Sequence, residues 1–199
     1  FIGTNSGNLT LTGTANTAVG RESLDAITNG ISNTAVGDRV LSAETTGDYN
    51  TAVGRLALQN QNGANYNTVV GYNAGNDITN GTQNVAMGGL ALDAETTGDY
   101  NTAIGYQALT TQNGANYNTA VGRLAGRFLS TGANNTALGG LALDAETTGA
   151  NNVALGYSAL TSQVGGQRNT AVGRSAGSAT SSGDNNIYLG YAAGNLSLI

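Results

Sequence analysis

The chain has 199 residues, 31 of them Gly and only 10% charged, and it carries a net charge of −5 with no Lys. It has no Cys and no His, which excludes disulfides, thiol chemistry, zinc sites of Cys/His type and acid–base catalysis by imidazole. An acidic chain without a basic stripe is not built for nucleic acid, and no apolar run is long enough for membrane insertion.

The motif Asn-Thr-Ala-Val-Gly recurs along the whole chain. Its Asn falls at Asn16, Asn33, Asn50, Asn67, Asn84, Asn101, Asn118, Asn135, Asn152, Asn169 and Asn186, always 17 residues apart. A spacing with no insertion predicts one coil of a stacked solenoid per repeat, because an extra residue would break the stack. The expected fold is all-β: a parallel β-solenoid, or β-roll, of about 11–12 coils of 17 residues each. At the strand spacing of a sheet this is a rod roughly 55 Å long. Residues 1–199 form a single domain in this reading. The chain starts in mid-repeat and stops at Leu196-Ser197-Leu198-Ile199 without a polar cap, so a segment of a longer protein is expected.

Numbering each repeat from its Asn, positions 1 to 4 read as a short strand ended by the Gly at position 5. Position 2 is Thr or another β-branched residue, position 3 is Ala in most copies, and position 4 is always Val, Ile, Leu or Met. Positions 7 to 9, as in Leu56-Ala57-Leu58, predict a second short strand, and positions 10 to 16 are turn-like. The Asn column suits amides that hydrogen-bond along the axis, with Asn taking left-handed backbone at a corner. The Gly column suits positive φ or a close backbone approach. Which strand face points inward stays open: either the Val/Leu row fills the core, or Ala does and an apolar stripe faces out.

A longer period lies over the first. Glu44, Glu95 and Glu146 are 51 residues apart, and the coil after each carries Gln61-Asn62-Gly63, Gln112-Asn113-Gly114 or Gln163-Val164-Gly165. Duplication of a three-coil unit accounts for this, the alternative being a periodic set of displayed loops. The loop carboxylates read as solvated turns. The glycine-rich calcium nonapeptide is absent, so no metal site and no cofactor is expected. A uniform rod offers no cleft with unique residues, so no catalytic residue and no enzyme activity are expected. Tyr49, Tyr66, Tyr100 and Tyr117 form one column, and Tyr72, Tyr106, Tyr157 and Tyr191 another, both read as corner covers. Arg21, Arg55, Arg123 and Arg174 share position 6 and are expected to pair with loop carboxylates. Glycosylation sequons occur at Asn8, Asn80, Asn134 and Asn195.

The Asn-Thr-Ala-Val-Gly-x-x-Ala-Leu repeat resembles those of phage tail-fibre-like proteins. It is also similar to the head repeats of trimeric autotransporter adhesins, whose core reads Ser-Val-Ala-Ile-Gly-x-x-Ala. The resemblance spans essentially the whole chain, with Thr usually in place of Val at position 2 and a coil longer than the adhesin repeat. It implies a parallel β-roll, left-handed in the adhesin heads, assembled as a homotrimer. The expected function is a non-catalytic structural or adhesive shaft of an extracellular fibre, on a cell surface or a virion.

Two alternatives follow from the surface files. Thr17, Thr34, Thr51, Thr68, Thr102, Thr119, Thr136 and Thr170 stand in one file at one strand spacing, which suits ice or a partner. Tyr72, Tyr106, Tyr157 and Tyr191 suit contact with a cell-surface glycan or a protein receptor.

Overall fold

The computed structural model describes residues 1–7 and 12–195. The sequon at Asn8 and the terminal Leu196-Ser197-Leu198-Ile199 lie outside the described residues. Eleven strands of three residues each, β1 (Thr17–Val19), β2 (Thr34–Val36) and onward to β11 (Ile187–Leu189), form one parallel sheet in strict chain order. Each strand pairs in register with the next: Thr17 with Thr34, Ala18 with Ala35, Val19 with Val36. The chain is therefore a β-solenoid, with no helix among the described residues.

The strands occupy positions 2 to 4. With the side-chain alternation of a strand, position 3 points one way and positions 2 and 4 the other. Position 3 is the inward one: Ala35, Ala52, Val69, Ala86 and Ala103 are fully buried. The core is thin, built from this Ala row, the Ala row at position 8, Leu at position 9 and an apolar residue at some positions 12. The Thr and aliphatic files consequently face outward.

The second strand expected at positions 7 to 9 does not form. Positions 7 and 9 hold positive φ, as at Leu56 (63°) and Leu58 (49°), and position 17 does likewise, as at Tyr66 (61°). A non-Gly residue in this region costs about 1 kcal/mol or more, so the stack must impose it. The imposing force is visible in the backbone: inter-coil bonds continue around these corners. Leu56 N–H donates to Asp38 C=O at 2.9 Å, Leu24 to Val40 at 3.0 Å and Tyr49 to Ile31 at 3.0 Å. Gly at position 5 is required twice over. At Gly37 φ is +140°, and an added Cβ would lie 2.6 Å from the Gly54 carbonyl oxygen of the next coil. Such crowding explains why no side chain interrupts this column.

The 51-residue period turns out to be a core pattern. Position 12 runs Ile27, Glu44, Gln61, Ile78, Glu95, Gln112, Leu129, Glu146, Gln163, and all nine are buried. Volume is balanced within the coil from Asn33 onward, whereas the Asn16 coil carries both Leu24 and Ile27. Gly75 and Gly126 at position 9 accompany Ile78 and Leu129, whereas the Glu and Gln coils carry Leu at position 9. A Cβ at Gly75 would stand 3.0 Å from Ile78 Cδ1 and 3.1 Å from Leu58 Cδ2, so its neighbours already fill that space. The reading of these glutamates as solvated loop carboxylates is thus corrected: Glu44, Glu95 and Glu146 are fully buried.

Candidate functional surface

Burial of a carboxylate needs donors. Glu44 Oε1 accepts the N–H groups of Thr46 (2.9 Å), Gly47 (2.5 Å) and Gly63 (2.9 Å), and its Oε2 accepts Gln61 Nε2 at 2.9 Å. Glu95 repeats this with Thr96, Thr97, Gly98 and Gly114, and with Gln112 Nε2 at 2.8 Å. These carboxylates are consumed inside the rod, stitching one coil to the next, and do no chemistry at its surface. No group of three or more His, Cys, Asp or Glu side chains is placed to hold a metal ion among the described residues.

The Asn column is structural: amide-to-amide bonds along the axis link Asn33 to Asn16, Asn135 to Asn118 and Asn186 to Asn169 at 3.0–3.2 Å, and backbone bonds carry the rest. Each Oδ1 accepts the backbone N–H of the next Asn, as from Asn50 to Asn33 and from Asn67 to Asn50, both 2.9 Å. Each Nδ2 from Asn16 to Asn169 crosses its own coil to the carbonyl at position 15, as from Asn50 to Ala64 at 2.8 Å. The left-handed corner is position 17, and Asn at position 1 is absent from the positive-φ residues. Asp and Asn at position 16 form a second such column: Asp48 Oδ1 accepts Ile31 N–H at 2.8 Å and Asn116 Oδ1 accepts Asp99 N–H at 2.7 Å. Thr82, Ala133, Ala150 and Gln167 interrupt it.

What remains for a partner is the sheet face. Thr17, Thr68, Thr119 and Thr136 are exposed, and Thr34, Thr51, Thr102 and Thr170 are half-buried. Their hydroxyls find no acceptor within the chain among the described residues. Position 13 behaves differently, since the hydroxyls of Thr28, Thr45, Thr79, Thr96 and Ser130 are spent along the axis. Thr28 Oγ1 donates to Thr45 C=O at 2.9 Å, Thr79 to Thr96 C=O at 3.0 Å and Ser130 to Thr147 C=O at 2.8 Å. Beside the Thr file runs the aliphatic file of position 4, in which Met87 and Leu138 are 43% exposed and Leu155 39%. The face carries no charge over its eleven rungs.

Tyr and Arg flank this face. Tyr49 stacks on Tyr66 and Tyr100 on Tyr117, each with ring centroids 5.0 Å apart. Tyr72, Tyr106, Tyr157 and Tyr191 are exposed, as are Tyr49, Tyr66, Tyr100 and Tyr117, so neither column buries its rings at the corners as expected. Arg174 lies 5.9 Å from the ring centroids of both Tyr157 and Tyr191, a cation–π arrangement. Most Arg partners are not in the loops. Arg21 and Arg55 meet Asp38 on position 6, and Arg39 meets Glu22 on position 7. Only Arg127–Asp144 and Arg168–Asp184 reach the turn side, the former at 2.9 Å.

No long apolar helix capable of crossing a membrane is present among the described residues. Comparison of the chain with protein-family models, curated proteins and solved structures finds no match.

Proposed function

We propose that the chain is the rigid, non-catalytic shaft of an extracellular fibre or surface adhesin, and that its Thr/aliphatic face packs against further copies of itself in a homotrimer. The observation that supports this most is the outward aliphatic file. A charge-free apolar stripe running the length of a rod is a feature soluble monomers avoid. Its own repeat offers the matching surface, since a second copy presents the same files at the same spacing. Association would also cover side chains at Met87, Leu138 and Leu155, which the coil leaves open to water. The mass in solution tests this directly. Sedimentation should give an oligomer, and Ile104→Glu at the middle of the face should drive it to monomer, because a buried unpaired charge opposes packing. A monodisperse wild-type monomer at high concentration rejects the proposal.

A second reading is supported by the unspent hydroxyls. The Thr file at position 2 keeps its Oγ1 donors free while most of the position 13 file does not, and a regular, uncharged array of hydroxyl and methyl groups suits ice. Thermal hysteresis measured on the purified chain separates the two readings. Ice shaping that Thr102→Tyr abolishes favours this one, and its absence leaves the self-packing shaft.

A further inference from the structure

Four Asn-Gly pairs lie with their Asn exposed on the turn side of the rod: Asn29-Gly30, Asn62-Gly63, Asn80-Gly81 and Asn113-Gly114. Asn-Gly is chemically labile because Gly has no Cβ to hinder its own backbone nitrogen. That nitrogen attacks the Asn Cγ, and the Cγ–Nδ2 bond breaks. The side-chain nitrogen leaves as ammonia, carrying away the proton released by the backbone amide. Water then opens the resulting succinimide at either carbonyl, giving Asp or isoAsp.

The fold sorts the four pairs into two classes. At Asn62-Gly63 the attacking nitrogen is engaged: Gly63 N–H donates to the buried Glu44 Oε1 at 2.9 Å. The target amide is engaged too, with Asn62 Oδ1 accepting Thr45 Oγ1 at 2.5 Å. Asn113-Gly114 is held in the same way, by Glu95 Oε1 and Thr96 Oγ1, both at 2.6 Å. In both pairs the attacking nitrogen and the target amide are each tied to the preceding coil, so both bonds must break before attack. The carboxylate charge against the N–H also opposes its loss of a proton.

Asn29-Gly30 and Asn80-Gly81 sit one position later in the coil and lack this grip. Gly81 N–H reaches Thr96 C=O only at 3.3 Å, behind Thr79 N–H (2.9 Å), Thr79 Oγ1 (3.0 Å) and Asn80 N–H (3.1 Å), which already donate to that oxygen. Gly30 N–H is likewise the last of four donors at Thr45 C=O, at 3.4 Å. The Asn29 amide accepts a 3.2 Å bond from Thr28 Oγ1, while the Asn80 side chain makes no hydrogen bond among the described residues.

We propose that Asn80, followed by Asn29, is a site of spontaneous deamidation in the folded protein, and that Glu44 and Glu95 shield Asn62 and Asn113. The consequence is structural. IsoAsp adds one atom to the backbone of a coil whose register accepts no insertion, next to a carbonyl that anchors the Asn column. Gly81 C=O accepts Asn67 Nδ2 and Gly30 C=O accepts Asn16 Nδ2, each at 2.7 Å. The rod therefore carries sites of chemical ageing at two defined rungs.

The test is incubation of the folded protein in neutral to mildly alkaline buffer, with peptide mass spectrometry and isoAsp detection over time. Asn80 should convert at least ~10-fold faster than Asn62 and Asn113, the factor expected when a charge-assisted hydrogen bond must break before attack. In urea the four rates should converge, since the local dipeptide is the same. Glu95→Gln should speed conversion at Asn113 and leave Asn80 unchanged. If that variant fails to fold, the folded-against-urea comparison decides alone. Equal rates in the folded chain, faster conversion at Asn62 or Asn113, or an inert Asn80 would overturn the proposal.

Discussion

Two stretches of the rod with nearly the same sequence solve one problem differently. Glu95 and Gln112 are linked through Gln112 Nε2, and Gln112 Oε1 in turn accepts Asn118 Nδ2 at 2.9 Å. A buried relay thus runs from carboxylate to the Asn column across two coil boundaries, and Glu44–Gln61–Asn67 matches it. One block later the relay is broken. Gln163 Nε2 keeps the bond to the position 15 carbonyl that Gln61 and Gln112 also make (Gly166 C=O, 2.9 Å), but its other acceptor is Asn152 Oδ1 at 3.3 Å, and Glu146 Oε2 accepts no hydrogen bond. The cause lies three residues on. Position 15 is Ala64 and Ala115 in the intact relays but Gly166 in the third. A Cβ at Gly166 would stand 2.6 Å from Gln163 Nε2, so this amide occupies the space a methyl group fills elsewhere. Of the differences between the blocks, the missing methyl group at position 15 is the one that meets the Gln163 amide.

This contrast yields a ranked set of outcomes. The largest effect is expected at Glu95→Ala, which strands the N–H groups of Thr96, Thr97, Gly98 and Gly114 together with the Gln112 amide. By chemical denaturation it should cost on the order of 4–5 kcal/mol, and Glu146→Ala should cost about 1–3 kcal/mol less, because its Oε2 has no partner to lose. Equal losses would show that the broken relay is energetically irrelevant. Next comes the Asn column. Asn118 Nδ2 serves both Gln112 Oε1 and Gly132 C=O, whereas Asn169 Nδ2 serves only Gly183 C=O. Asn118→Ala should therefore be the more destabilising of the pair by about 1 kcal/mol, read from urea midpoints.

Gly166→Ala should return Gln163 to Glu146 and raise the unfolding free energy by about 1 kcal/mol. A lower urea midpoint would mean that the nearby Gly183 carbonyl, 2.7 Å from the added Cβ, cannot yield as its counterparts do at Ala64 and Ala115.

The smallest effect concerns position 10, where Asp93 and Asp144 are equivalent residues of adjacent blocks. The Asp93 carboxyl is raised above its ordinary range chiefly by burial and then by the charge of Asp77, against the pull of Asn73. Asp144 is also raised by burial, but Arg127 opposes that rise. A carboxyl raised in the folded state favours folding only below its unfolded value, and that contribution is lost as pH rises through the folded value. Asp93→Asn should accordingly raise the melting temperature at neutral pH, with the gain shrinking as the pH falls into the acid range. Asp144→Asn should show no such gain, since it also breaks the Arg127 pair. A pH-independent gain at Asp93 would point to packing in place of charge.

Much of this was legible in the chain. The 17-residue interval fixed the stack and its register, because identical residues at identical spacing can only lie over one another. The Gly column announced a backbone that excludes Cβ. The 51-residue period was visible as well, yet its meaning was not. Glu44 and Gln61 carry polar side chains in a Thr- and Gly-rich stretch that reads as solvent-facing turn. The available clue was the pairing of Gly75 with Ile78 and of Leu58 with Gln61, a balance of volumes expected only if position 12 lies inside. The candidate face was half legible. The Thr file and the aliphatic file were evident as rows, but not which way they pointed.

Sequence by itself determined the repeat, the parallel in-register strands and the files of like residues, since these depend only on local alternation and on spacing along the chain. Tertiary structure alone decided that Ala faces in and Thr faces out, that positions 7 and 9 bend through left-handed backbone in place of a second strand, and that Glu44, Glu95 and Glu146 are enclosed. The physical reason is that each of these depends on closing the coil. The interior is only wide enough for small side chains opposite a few Leu and Ile, and a buried carboxylate is tolerable only where the turns of two successive coils aim their N–H groups at it.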